Sequence, residues 1–301
     1  MSRFSAVTLD LSRFPAPLAI RGIDYEKILA ERKTRLVTLF DAAGIAYDVA
    51  ALETDPAIIV EETDAYRELL AYAAINDAVR ACMVAFAIGA DLDHLGALYG
   101  VARLVTTSPT GSTAAIMESD ALFRRRVLLS PEAFGAAGPL GAYAYHALSA
   151  DPRVLNVDPW SPAPGEVTVA VQSIEGEGEA AADLVEAVRA RLHRDAIKPL
   201  TDVVNVRSVE NFDYTINVEC FILPGPDPLA VKEAVEESLA KMASARRTPS
   251  RDVPRSAVTA AAHIDPVDRV AVSAPASDVA MGYGEVGICT AINVTVTVHD
   301  G

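Results

Sequence analysis

The chain has 301 residues, of which 51% are hydrophobic and only 6% aromatic, and its formal net charge is −15 at pH 7. This length exceeds that of one typical domain, and the composition excludes an intrinsically disordered protein. The negative charge disfavours nucleic acid as the main partner because it repels phosphates, and no run of 18 apolar residues that could cross a membrane is present.

The three cysteines, Cys82, Cys220 and Cys289, lie far apart in the chain. The first falls in a predicted helix and the other two in predicted strands. We interpret all three as buried free thiols, which suits a reducing compartment. Charged residues and prolines interrupt the apolar residues at the N-terminus, which argues against a signal peptide. We therefore expect the protein to stay where it is made.

The chain opens with residues 1–23, in which apolar side chains are spread among prolines without a periodic pattern. We expect an extended arm that either lies across its own domain or docks on another chain, and both alternatives remain open. A helix is predicted next, because Asp24 is a typical N-cap residue and apolar residues recur at helical spacing until Gly44.

A second, longer helix is predicted from Thr63 or Asp64 to Ile88, with Gly89 ending it. Asp91 is then expected to cap a short helix that carries leucines on one side.

The best-patterned stretch of the chain predicts a strand, a helix and a second strand. Residues 166–174 alternate at period two, with Val167, Val169 and Val171 on one side and Gln172 expected to face water. Residues 181–192 place apolar side chains every three or four positions, as on one face of a helix. A proline then ends the helix, and the β-branched residues 203–206 follow.

A similar but weaker pattern occupies the rest of the chain. We predict a turn at 211–213 and a strand at 214–222. Later elements are a helix beginning at Pro228, a short helix at 255–263, and strands at 269–273 and 287–299.

These elements predict a multidomain α+β protein, with a helical N-terminal region followed by two small α+β layers. The predicted domains are 1–103, helical with the extended arm, 104–210, the first α+β domain, and 211–301, the second.

Two glycine-rich segments could be mistaken for phosphate-binding loops. Residues 282–287 match the dinucleotide-binding fingerprint letter for letter, but a β-rich run follows where that site needs a helix N-terminus. The segment Gly176-Glu-Gly178 lies between a strand and a helix, but acidic neighbours would repel a phosphate. We predict turns at both places and no cofactor.

The remaining reactive residues form no recognisable site. No histidine has a second histidine three or four residues away, as many zinc sites have; the five are His94, His146, His193, His263 and His299. No nucleophile elbow occurs, and no cysteine has activating surroundings. We predict no catalytic residue, no cofactor-binding residue and no metal ligand.

Two basic clusters stand out in this acidic chain, namely residues 124–126 and the run of Arg246, Arg247, Arg251 and Arg255. They are either solvated faces or surfaces that dock onto another acidic subunit. The acidic pairs at 61–62 and 236–237 are interpreted as solubilising surface residues.

Several short segments follow one another in an order that resembles the baseplate J family of contractile phage tails. They are residues 10–17, 24–25, 29–32, 118–126, 138–149, 154–159, 164–169 and 284–288, together with Gly89, Leu92, Asp93, Gly100 and Arg103. The resemblance covers nearly the whole chain, and none of its segments is catalytic. Only Leu104 to Ile116 fills the place where longer family members carry a β-rich segment, so the chain resembles the short form.

The resemblance implies a structural wedge component of the baseplate that self-associates and joins neighbouring subunits into the ring around the central hub. Its expected partners are itself and other wedge and hub proteins, without nucleic acid or membrane, and its expected location is the virion tail, assembled in the host cytoplasm. A phage-derived injection particle without a genome would need the same subunit. The alternative from another class is a hydrolase with a carboxylate-lined cleft.

Overall fold

The computed structural model describes residues 17–47, 54–109, 114–135 and 138–299. They fall into two compact units, 17–100 and 101–299. The predicted α+β class, with a helical N-terminal region followed by two layers with small sheets, is confirmed. The domain boundaries near residues 103 and 210 stay predictions, and most of the predicted arm lies outside the described residues.

The described residues of the first unit form the helices α1 (Tyr25–Ala42), α2 (Pro56–Ala81) and α3 (Gly89–Ala97). As predicted, the Asp24 carboxylate caps α1, accepting a hydrogen bond from the Lys27 backbone N–H at 3.2 Å. The chain turns away after α1 at Gly44, whose φ of +73° lies in the left-handed region that glycine adopts without strain.

The predicted bounds of α2 are wrong at both ends. The helix begins at Pro56 because the Asp55 carboxylate accepts the Ala57 N–H at 2.9 Å and proline is favourable in the first turn. It ends at Ala81, so Cys82 lies just beyond the helix and is exposed, not buried as predicted. Gly89 does not close this helix but begins α3, so that Asp91 lies in the first turn and is not its cap.

Helices α1 and α2 pack through Ile28, Leu29 and Ala65. Arg32 of α1 reaches three carboxylates of α2, those of Glu61, Asp64 and Glu68, at 2.7 to 3.3 Å. The pair at 61–62 therefore serves in part to join the helices and not only to keep the surface soluble.

The second unit begins with a short hairpin of β1 (Val105–Thr107) and β2 (Ile116–Met117). Helix α4 (Asp120–Leu129), a 3₁₀ helix (Ser130–Phe134) and α5 (Leu140–Leu148) follow. Next come β3 (Val154–Trp160), β4 (Glu166–Ser173), α6 (Ala182–Leu192) and β5 (Val203–Ser208).

The sheet has the order β3-β4-β5, with β3 antiparallel and β5 parallel to β4. This confirms the predicted strand, helix and strand, and we call the sheet with α4 to α6 the central layer. Its core joins α5, α6 and the strands through Tyr143, Ala147, Val169, Val171, Leu184, Val188, Leu192, Val204 and Val206.

The last part of the chain forms the C-terminal layer, made of β6 (Glu210–Ile222), α7 (Pro228–Arg246), α8 (Arg255–Ala262), β7 (Val267–Ala274) and β8 (Glu285–Val298). Its sheet has the order β7-β6-β8, with β6 antiparallel to β7 and parallel to β8. The turn predicted at 211–213 is wrong, because these residues pair with residues 286–288 of β8 and extend β6. The two helices cover one face of the sheet.

No helix among the described residues is both long and apolar enough to span a bilayer.

Candidate assembly surfaces and buried polar clusters

The glycine-rich segment at 282–287 forms a turn that leads directly into β8, as the sequence predicts. Gly284 has a φ of +75°, and the Glu285 carboxylate accepts a hydrogen bond from the Gly282 N–H at 2.7 Å. A strand follows the turn, and not the helix that a dinucleotide-binding loop requires. Gly176 and Gly178 likewise adopt positive φ in the turn after β4.

The histidines are dispersed over both units and differ in exposure. Within the ranges that the structure describes, no three His, Cys, Asp or Glu side chains are grouped so that they could hold a metal ion.

Two of the three arginines in the cluster at 124–126 are used within the central layer and do not form a solvated face. Arg126 is only 4% exposed and forms a buried ion pair with Glu118, whose Oε2 lies 2.6 Å from Nη2. Arg125 donates to the Leu155 carbonyl and the Asn156 side chain, and burial lowers the pKa of Arg125. Both guanidinium groups therefore hold the central layer together, and Arg124 is half-buried beside them.

The second basic run is also used within its own layer. Arg246 donates to the Asp252 carbonyl at 2.8 Å, Arg251 to the Ala245 carbonyl at 3.0 Å, and Arg255 to the Val272 carbonyl at 2.6 Å. These bonds hold the loop between α7 and α8 and the start of α8, so docking onto an acidic partner is not needed to explain the run.

His146 lies on α5 beside a cavity of about 370 Å³ that Phe134, Asp195 and Lys198 help to line. Its Nδ1 is buried and has no hydrogen-bond partner among the described residues. Burial lowers the pKa of His146 to about 4, and the positive charge of Arg191 adds to the effect. The folded protein therefore holds this imidazole neutral.

Acidification should destabilise the folded state partly through His146. Its pKa is depressed from an unfolded value of 6.5, so its stabilising contribution is present above pH 6.5 and is lost as the pH falls toward 4. At about 1.4 kcal/mol per pKa unit, discounted for partial exposure, we expect about 2 kcal/mol. Urea denaturation at pH 7 and at about pH 4 should show a smaller loss for His146→Gln than for the unaltered protein.

The matched control is His94→Gln, because His94 is exposed on α3. This variant should lose as much stability on acidification as the unaltered protein. Equal losses in all three proteins would contradict the assignment to His146.

A buried polar cluster joins the central and C-terminal layers, and we call Asp158, Ser250 and Gly284 the interlayer cluster. The Asp158 carboxylate on β3 is 2% exposed. It accepts hydrogen bonds from the Ser250 hydroxyl and from the Gly284 N–H, the latter at 2.9 Å. A charged group that is buried so deeply is stabilised by such donors from the opposite layer.

An aromatic stack lies beside the interlayer cluster. Trp160 of β3 stacks on Tyr283 with ring centroids 5.5 Å apart and planes inclined by 13°. The Arg207 guanidinium lies 5.2 Å from the Trp160 ring and donates to the Tyr283 carbonyl. Two layers that are consecutive in sequence therefore share a polar and aromatic boundary.

Gln172 completes this boundary and contradicts the prediction that it faces water. It is 0% exposed, accepts a hydrogen bond from Asn156 at 2.7 Å and donates to the Arg247 carbonyl at 3.2 Å. The prediction failed because a period of two assigns a residue to one face of a strand but does not show that a second layer covers that face.

The outer edge of β8, which we call the β8 edge, differs from the other edges of the two three-stranded sheets. Strand β3 contains Asp158 and Pro159, β5 has six residues, and β7 contains Asp268 and Arg269. Charged residues and proline protect edges from pairing with other chains, and β5 offers an edge less than half as long as that of β8. Strand β8 has 14 residues and carries neither a charged residue nor a proline from Val286 to Val298. Among the described residues, no strand pairs with this edge.

In the first unit, α2 presents apolar side chains on a face that α1 does not cover. Ile59, Tyr66 and Leu70 recur at spacings of seven and four, so they lie on one side of the helix, and each is about half exposed. We call these three residues the α2 stripe. A row of half-exposed apolar groups on a helix is typical of a surface that another helix covers.

Comparison with known proteins agrees with the resemblance. Three family models match the chain in order, the Baseplate J-like N-terminal domain at 53–110, the Baseplate J-like central domain at 135–208 and the Baseplate J-like protein C-terminal domain at 214–295. Baseplate protein J of Escherichia phage P2 is 37% identical over 292 residues, which cover 95% of this chain and 97% of that protein. The chain belongs to the baseplate J-like family. This family member and the phage P2 protein therefore match over nearly their whole lengths.

Sequence reasoning missed the two buried polar clusters of this family member. The segments that carry Glu118, Arg126 and Asp158 were recognised as family-like, but nothing in their local pattern shows that the side chains are buried. A usable signal was the single tryptophan, Trp160, at the end of a strand, since tryptophan is rarely left exposed.

Proposed function

We propose that this protein is a structural wedge component of the baseplate of a contractile phage tail or of a phage-derived injection particle. It self-associates, joins other wedge and hub proteins, and connects neighbouring subunits into the ring around the hub. The observation that carries this proposal is the match to Baseplate protein J of phage P2 over 95% of the chain. The protein works in the virion tail and is assembled in the cytoplasm of the host bacterium.

A subunit of a closed ring needs two separate contact surfaces, because one two-fold surface makes a dimer and then stops. The α2 stripe and the β8 edge belong to different compact units, so they can serve as these two surfaces. Each is apolar or uncharged, although the chain carries a net charge of −15. Two copies can therefore approach at these places without bringing charged residues of the two surfaces themselves together.

The β8 edge supports strand addition in particular. An unpaired edge offers a row of backbone N–H and C=O groups, and a strand from another subunit can satisfy them. Alternating valine and threonine residues near the end of β8 form favourable cross-strand pairs with a similar partner strand.

The hydrolase alternative requires carboxylates that converge in an accessible cleft. The two buried acidic residues of the described chain are instead bound to neighbouring groups, Glu118 to Arg126 and Asp158 to Ser250 and Gly284. No specific observation favours the enzyme, and we propose that the protein is not one. We likewise propose that it needs no cofactor, nucleic acid or membrane.

The test replaces Thr295 with lysine and supplies the variant to a tail-producing strain that lacks the gene. Thr295 is exposed on β8 opposite Glu219 of β6, so the new ammonium group meets a carboxylate within the folded subunit. The same charge at an edge strand opposes pairing with another chain. We expect T295K to be soluble and to show a folded circular dichroism spectrum. Electron microscopy should show at least a tenfold loss of complete tails, since a loss of about 1.4 kcal/mol in contact energy weakens an association tenfold.

The matched control is T215K. Thr215 is exposed on the same face of the sheet but belongs to the central strand β6, so its lysine adds the same charge away from the edge. T215K should restore tails, and normal numbers of contractile tails with T295K would refute the role of the β8 edge. If the unaltered gene is not required for baseplates at all, the proposed function itself fails.

A further inference from the structure

We propose that the interlayer cluster holds the central and C-terminal layers together as one rigid body. The β8 edge then keeps a constant position relative to the central layer. This goes beyond membership of the baseplate J-like family, because it assigns named residues a mechanical role within one subunit. The rigidity is a property of the isolated chain and does not depend on the proposed function.

The first support is the shortness of the connection between the layers. Strand β5 ends at Ser208 and β6 begins at Glu210, so Val209 alone lies between them. The Val209 N–H donates to the Val171 carbonyl of β4 at 3.0 Å, and the Glu210 N–H donates to the Gly284 carbonyl at 3.0 Å. A connection of one residue with bonded backbone groups provides no flexible linker.

The second support is that Asp158 draws donors from two separate loops of the C-terminal layer. Ser250 lies between α7 and α8, and Gly284 lies before β8. These loops also contact each other, since the Ser250 N–H donates to the Glu285 carbonyl at 2.8 Å and the Gly284 N–H lies 3.1 Å from the Ser250 Oγ. One carboxylate of the central layer therefore holds two loops that already hold each other.

The backbone conformation of Ser250 is the third support. Ser250 has a φ of 59°, in the left-handed region where glycine would be favoured over serine. A serine at this position adds the hydroxyl that reaches Asp158, which a glycine cannot supply. Strained positions of this kind persist where the surrounding structure holds them.

Close packing around Gly284 is the fourth support. A Cβ atom added there would lie 2.9 Å from the Ala170 Cβ and 3.0 Å from the Arg207 Nη2. Only glycine, which has no Cβ, allows the backbone of the C-terminal layer to approach β4 and β5 this closely. Ala170 also packs with Val209, Val286 and Ile288 in a small apolar cluster that spans the boundary.

If the proposed function holds, this rigid pair of layers fixes the angle at which one subunit presents its β8 edge to the next. Any movement of the central layer would then carry the β8 edge with it, with no hinge between the two layers.

The test uses Trp160, the single tryptophan of the chain, as a reporter at the boundary. Urea unfolding of the purified full-length protein is followed by Trp160 fluorescence and by far-ultraviolet circular dichroism. In the unaltered protein, the fluorescence transition should coincide with the loss of strand signal. In Asp158→Ala, the Trp160 transition should come first, by about 1 M urea, because the layers separate before they unfold. Acrylamide quenching of Trp160 in folded Asp158→Ala should rise by roughly twofold or more, because the indole that stacks on Tyr283 becomes accessible to the quencher.

Ser250→Ala and Asp158→Asn give milder versions of the same change, so they answer the question if Asp158→Ala does not fold. Asp213→Ala and Ser256→Ala are matched controls at exposed positions of the C-terminal layer. In both controls the fluorescence and circular dichroism transitions should coincide. Coincident transitions in all interlayer variants that fold would overturn this proposal, as would unchanged quenching of Trp160. Neither result would bear on tail assembly, which the complementation experiment measures separately.

Discussion

Replacing Arg126 with methionine should lower the free energy of unfolding by about 3 to 5 kcal/mol, because it leaves a buried carboxylate without its partner. Both oxygens of Glu118 are bound by the Arg126 guanidinium, at 2.9 and 2.6 Å. Arg126 also donates to the Ala102 carbonyl at 2.7 Å and to the Ser149 hydroxyl at 3.2 Å. The variant thus removes the donors of several buried acceptors at once. Urea denaturation followed by circular dichroism measures the loss.

Two comparisons separate charge burial from a general effect of the substitution. Arg194→Met, at an exposed position in the same unit, should change the stability by less than about 0.5 kcal/mol. The double variant E118M/R126M should recover most of the loss, because an apolar pair can replace a buried ion pair. If R126M alone is as stable as the unaltered protein, the ion pair has no stabilising role.

Replacing Gly284 with alanine should cost about 2 to 4 kcal/mol, from two causes that add. Alanine is strained at a φ of +75°, and its Cβ would come within 2.9 Å of the Ala170 Cβ. The neighbouring Arg207 guanidinium can move, but the Ala170 methyl group is fixed to a central strand. Urea denaturation measures the loss of stability, and Trp160 fluorescence should show whether the boundary between the layers is disturbed.

Gly176→Ala provides the matched control, since Gly176 has a φ of +59° and no atom lies within 4 Å of its added Cβ. It carries the backbone strain without the clash and should cost about 1 kcal/mol. An equal loss of unfolding free energy in G176A and G284A would show that the structure accommodates the new Cβ beside Ala170 without further destabilisation.

Local patterns determined most of the secondary structure of this protein. Helix α6 and the strands β4 and β6 follow from periods that depend only on which side of the backbone a residue occupies. Helix α1 follows from its cap at Asp24 and its glycine at Gly44, both of which act within one turn. The start of α2 can be predicted by the same reasoning, since Asp55 and Pro56 form a helix start signal.

The family resemblance also came from sequence alone, because short segments in a constant order can be compared without knowing their contacts. The 14-residue β8 edge could be predicted only in part from the sequence. The strand itself was predicted from its alternation, whereas its place at the edge of the sheet depends on which strands pair with it.

Only the tertiary structure decided the fate of the polar residues. Arg126, Gln172 and Asp158 lie in segments whose local patterns suit an exposed or half-exposed position, and all three are buried. A sequence period identifies the face on which a side chain lies, but the burial of that face depends on a layer supplied by residues far along the chain. The Asp158 carboxylate meets Gly284 across 126 positions, a separation at which no local pattern carries information. Sequence therefore determined the elements and the family, and the packing of one layer on another determined which polar groups hold this protein together.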